Sequence, residues 1–148
     1  MTFSIRTFTT ATALSGAAIL ASCAPVEAPE SRLSVAKQQE IQAELDEMLE
    51  GRVAGEPQRC VNLNTLGNAT PVGDRILIYT QGALRYRNDL RFDCPGLGRD
   101  DDILVTEPFG SQLCDGDQVR LVDRFTGMQG PVCRLGMFVP YRKVDDDK

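Results

Sequence analysis

The chain is 148 residues long and carries 16 Lys and Arg against 21 Asp and Glu, a net charge of -5, with no His and no Trp. This length bounds it to one domain, and the acidic balance argues against nucleic acid and against broad attraction to anionic lipid. The lack of His removes the commonest general base, the Ser-His-Asp and Cys-His arrangements, and most catalytic zinc sites.

Residues 7–22 follow a single positive charge at Arg6, are mostly Ala, Thr, Leu and Ile, and stop at small residues, the pattern of a secretory signal. The stretch is shorter than the about 20 apolar residues that a spanning helix needs. It ends in Leu20, Ala21, Ser22 and Cys23. This ending resembles the lipobox of bacterial lipoproteins at all four positions. The resemblance implies that residues 1–22 are cut away, that the Cys23 thiol takes a diacylglyceryl group, and that the new amino terminus is acylated. A membrane is then the lipid's partner and the cell envelope the protein's location. Each buried methylene contributes about 0.8 kcal/mol, so one acyl chain binds marginally whereas two or more hold firmly. Ala24, in place of the Asp that favours retention at an inner membrane in that family, implies the outer membrane, with the domain facing the periplasm.

Behind Cys23, residues 24–32 mix Pro25 and Pro29 with Glu and Ser, a composition that favours extended, solvated chain. With Cys23, the tether runs over 23–33, and its nine residues 24–32 span at most roughly 30 Å, which keeps the domain near the bilayer. Ser34 then opens a helix over 35–50, and Gly51 is placed to stop it, giving a helical segment of 34–52. Ile41, Leu45, Met48 and Leu49 form one apolar stripe. A stripe at this spacing is what a helix needs to pack on its own domain; the alternative is a partner-binding helix.

After Pro57 the period changes from three-to-four to two, which marks residues 57–142 as a β domain. Residues 60–63 read as a short strand, followed by a loop carrying Gly67, Asn68 and Pro71. Residues 75–80 and 83–92 flank Gln81 and Gly82 as a hairpin. In its second strand Leu84, Tyr86, Leu90 and Phe92 share one face, and Arg85, Arg87, Asp89 and Arg91 the other. Residues 93–102 form a loop and 103–106 a short strand that Pro108 ends. Leu113 and Cys114 lead into Asp115-Gly116, suited to a type I′ turn, and 118–125 return as a strand with Val119 and Leu121 inward. Residues 127–131 turn the chain, 132–141 form the closing strand, and 143–148 are a tail. The fold class that follows is mainly β: an antiparallel meander or barrel-like sheet of about six strands, with one N-terminal helix and two disulfides.

The disulfides follow from parity. Of five cysteines, Cys23 is taken by lipid, and Cys60, Cys94, Cys114 and Cys133 pair in an oxidising compartment, with three connectivities open. On the meander picture Cys60 and Cys133 sit on the first and last strands, which pairs them with each other and Cys94 with Cys114. Zinc is the competing reading, but the intervals of 33, 19 and 18 intervening residues hold no close Cys pair. The elements Cys94-Pro95-Gly96-Leu97, Leu113-Cys114 with Gly116-Asp117, and Cys133 with Leu135 resemble a group of small proteobacterial envelope proteins with four cysteines. That resemblance implies a domain built around those cysteines and no particular chemistry.

No nucleophile elbow, metalloprotease helix, phosphate-binding Gly loop or dinucleotide fingerprint is present. Asp100, Asp101, Asp102, Asp115 and Asp117 are the places to look for paired carboxylates, but no aromatic residue lies beside them to hold a sugar, and they do not follow a calcium-loop spacing. They read as a solvated acidic turn. Arg85, Arg87 and Arg91, joined by Arg75, make a row suited to bidentate contact with phosphate of a glycolipid or with an acidic partner; the plainer account is a solvated strand face. The reading is thus a non-enzymatic lipoprotein with no cofactor and no metal, binding a protein or envelope component near the membrane. The alternative is an inhibitor or accessory subunit of an exported enzyme, and a hydrolase using aspartates alone trails both.

Overall fold

Apolar periodicity builds two cores, one between a helix and a sheet and the other between that sheet and two smaller ones. The structure, a computed structural model, describes residues 29–99, 101–108 and 110–144. The signal and Cys23 lie outside the described residues, as do Asp100 and the end of the tail.

Helix α1 spans Pro29–Met48. It begins earlier than residue 35, so Ser34 lies inside it and 29–33, expected as tether, are helical. Pro29 stands in the first turn, where a missing N–H costs no helical hydrogen bond. Gly51 takes φ 66° just past the end, the left-handed conformation that lets a chain leave a helix. The stripe behaves as expected of self-packing: Leu45 is buried, and Ile41 and Met48 pack with it against Val72, Ile76 and Ile78.

Ten strands follow, β1 Arg52–Ala54, β2 Cys60–Asn62, β3 Ala69–Val72, β4 Ile76–Gln81, β5 Leu84–Asp89, β6 Asp102–Glu107, β7 Gln112–Cys114, β8 Gln118–Asp123, β9 Gln129–Arg134 and β10 Phe138–Lys143. They form three sheets, in the orders β1-β10-β5-β4-β3, β2-β7 and β6-β8-β9, and every pairing is antiparallel. Over the described residues the chain is therefore mainly β, with one helix and two disulfides. Strand β4 is covered on both sides: Ile76 and Ile78 meet α1, while Leu77 and Tyr79 enter the main core with Tyr86, Leu113, Leu121 and Phe138. A strand buried on both faces reads as an unbroken apolar run.

Several expectations are corrected. Asn68 and Pro71 do not lie in one loop, because Ala69–Val72 is strand β3; it is an edge strand, where a residue without N–H is tolerated. The hairpin turn is Gly82-Ala83, since Gln81 pairs with Leu84, and Gly82 at φ 58° supplies the positive φ that a type II′ turn needs at its first central position. Phe92 does not face inward but is 72% exposed, because β5 ends at Asp89 and the chain bends after Leu90, whose N–H donates to Arg75 O. Asp115-Gly116 is not a type I′ turn: only Gly116 has positive φ, 95°, and Asp117 N–H closes the turn onto Cys114 O at 3.0 Å. Strand β7 pairs with β2 instead of β8.

The stretch 132–141 is not one strand. It divides between β9, beside β8, and β10, which inserts between β1 and β5. Gly136 marks the passage, where a Cβ would stand 2.2 Å from Asp89 O. This division also corrects the disulfides, which are Cys60–Cys114 and Cys94–Cys133. Cys60 and Cys114 are register partners on β2 and β7, with Cα atoms 4.0 Å apart. Cys133 on β9 is joined instead to Cys94 in the loop after β5, and both are buried in the main core.

Candidate functional site

The arginine row is only partly assembled. Arg85 and Arg87 stand on the same side of β5, but Arg87 is held by both carboxylate oxygens of Asp89 at 2.8–3.2 Å. Hydrogen bonding to Asp89 is the main reason that its guanidinium pKa is raised, against an opposing effect of partial burial. Arg91 lies beyond the strand end and pairs with Asp115 at 2.9 Å, and Arg75 pairs with Asp93 at 3.6 Å. Arg85 donates to the carbonyls of Gly82 and Leu84. Carboxylates thus already face two of the three guanidiniums in the row.

The aspartates do not converge. Asp115 faces Arg91, while Asp117 Oδ2 accepts the Cys114 N–H at 2.7 Å and so braces the turn beside a disulfide. Asp101 and Asp102 lead into β6. Among the described residues no group of three or more His, Cys, Asp or Glu is placed to hold a metal ion. No helix among them is long and apolar enough to cross a membrane.

Two other features stand out. The first is the outer face of the β6-β8-β9 sheet. Register puts Ile103 beside Val122, and Val105 beside Arg120, which in turn lies beside Val132. Ile103, Val105 and Val132 are exposed. Arg120 crosses this face, 3.6 Å from Glu107 and hydrogen-bonded to Gln129 at 2.6 Å. At one end the β8–β9 turn holds out Phe125, 80% exposed, and Met128, 70% exposed. Asp123 fixes this turn by accepting from the N–H groups of Phe125 and Thr126 and from the Thr126 hydroxyl, at 2.7–2.9 Å. Those bonds, the Thr126 backbone first, hold the Asp123 carboxyl below its ordinary range. The sequence signal was present in the double apolar character of Ile103-Leu104-Val105, where neighbours on opposite faces are all aliphatic.

The second feature is a cavity of about 500 Å³ where β3, β4, β6 and β7 approach one another, walled by Leu63, Leu66, Ala69, Tyr79, Leu104 and Leu113, with Asp102 and Arg124 also lining it. The Tyr79 hydroxyl is buried with no hydrogen-bond partner among the described residues. Burial raises its pKa, so the phenol is neutral.

Compared with protein-family models, with curated proteins and with solved structures, the chain matches none.

Proposed function

We propose that this is a lipid-anchored cell-envelope protein, moored through Cys23 to the outer membrane and facing the periplasm, whose β domain binds a protein partner without catalysis. The observation that carries the reading is the exposed apolar face of Ile103, Val105 and Val132 with Phe125 and Met128 at its end. Apolar side chains left together on a stiff sheet mark a surface that another molecule covers. Cysteine usage supports the anchor: the other four cysteines are paired in two disulfides, which leaves Cys23 as the one sulfur for a lipid. Phe125, presented on a turn that Asp123 stiffens, also suits the second reading, a loop inserted into the cleft of an exported enzyme.

The test is photocrosslinking from positions 105 and 125 of the full lipidated chain in its native membranes, with position 37 on α1 as control. A discrete protein adduct from 105 and 125 alone supports the reading. Adducts to lipid only, or equal labelling from position 37, overturn it. Mass spectrometry of the N-terminal peptide tests the anchor separately, because an unmodified Cys23 removes it while leaving the docking face standing.

A further inference from the structure

The cavity beneath β6 is bordered by unpaired strand edges as well as by apolar side chains. Arg124 N–H donates to Asp101 O at 2.8 Å, which sets the phase of the β6–β8 ladder. Antiparallel pairs alternate between bonded and non-bonded, so Ile103 and Val105 bond to β8 whereas the N–H and C=O groups of Leu104 and Thr106 point away from it. Among the described residues, no strand pairs with β6 on that side. The same reasoning applies to β3. Thr80 N–H donates to Asn68 O at 3.3 Å, so the backbone groups of Ala69 and Pro71 face away from β4. Pro71, which has no N–H to offer, falls on that free edge, as strand chemistry demands. Ala69 and Leu104 both line the cavity, together with Tyr79.

We propose that this cavity accepts an extended polypeptide segment, which adds as a strand to the free edge of β6 and sets an apolar side chain among Leu63, Leu66 and Leu113. N–H and C=O groups repeating every second residue, about 7 Å apart, match another extended backbone. An acyl chain would satisfy none of them. Asp102 and Arg124 carry opposite charges, so the site imposes no net charge on its occupant. The Leu104 and Thr106 side chains lie on the side of β6 opposite Ile103 and Val105, so this inference goes beyond the docking face proposed above and does not depend on it.

The experiment uses the isotope-labelled full chain and a mixture of acetyl-capped hexapeptides randomised over Val, Leu, Thr and Ser with a terminal Lys. Amide resonances of Ala69, Leu104 and Thr106 are expected to shift and to become protected from exchange. The same mixture methylated at every backbone nitrogen should bind about tenfold more weakly, because its side chains remain while its N–H donors are lost. Thr106→Pro, which deletes an N–H on the free edge and leaves the bonds to β8, should weaken the unmethylated mixture as well. If that variant does not fold, the methylated comparison on the unaltered chain decides. Equal binding of both mixtures, or no response at these three amides, overturns the proposal. So does a response there to octanoate alone.

Discussion

Asn88 and Gly136, 48 residues apart, are tied by two hydrogen bonds: Asn88 Nδ2 donates to Gly136 O at 2.8 Å, and Gly136 N–H donates to Asn88 Oδ1 at 3.0 Å. Asn88 is fully buried, and its amide does for the β9–β10 passage what a ladder does within a sheet. Asn88→Ala leaves both backbone groups buried and unpaired, and is expected to cost about 2–4 kcal/mol, measured as a shift in the urea midpoint at unchanged slope. Asn88→Asp keeps an acceptor for the N–H but sets a carboxylate against the Gly136 carbonyl, and should cost no less.

Each disulfide constrains the unfolded chain over a long loop, with sequence separations of 54 and 39. Replacing Cys94 and Cys133 together by Ala should lower stability by about 4 kcal/mol in the chain-entropy account. Peptide mapping without reduction checks the connectivity, and a peptide joining Cys60 to Cys133 would contradict it.

Tyr79→Phe removes a buried hydroxyl that has no partner among the described residues. The chain should become more stable, by up to about 1 kcal/mol. The direction with pH follows from burial, which raises the phenol's pKa in the folded state. Its contribution is intact below the ordinary phenol range near about 10 and is lost as pH rises beyond it, because the unfolded chain alone ionises. Alkaline unfolding curves of the two proteins should therefore diverge above that point, the Phe variant falling less steeply.

Asp123 has the opposite linkage. Its carboxyl is held low by the Thr126 and Phe125 bonds, so the stabilisation of the β8–β9 turn is complete above the ordinary carboxylate range and disappears as pH falls through the depressed value. Exchange protection at the Phe125 and Thr126 amides should drop over that acid window, whereas Asp123→Asn should show little pH dependence there.

Much of the architecture was legible because it rests on local signals. The stripe of Ile41, Leu45 and Met48 gave the helix, and Val119 and Leu121 gave the inward face of β8. What the residues could not convey was partner choice between distant strands. Cys114 ends strand β7, which joins β2 across 54 residues, and nothing near it says so. Asn88 interrupts the apolar row of β5 in the sequence, and only its hydrogen bonds to Gly136, invisible there, allow it to be buried. The arginine row fails as a unit for a different reason: the sequence alternation continues three residues beyond Asp89, to Phe92, whereas the strand ends at Asp89. The cavity had no sequence signature, since its edges belong to two sheets brought together only by the fold.

Strand β10, Phe138–Lys143, occupies an interior slot with β5 on one flank and β1 on the other. During synthesis, every neighbour it needs is made before it, yet the largest sheet stays split until it arrives. A chain stopped before Phe138 would expose two raw edges and the Phe138 vacancy at the centre of the core, so such premature termination should yield material that aggregates or is degraded rather than a weakened domain.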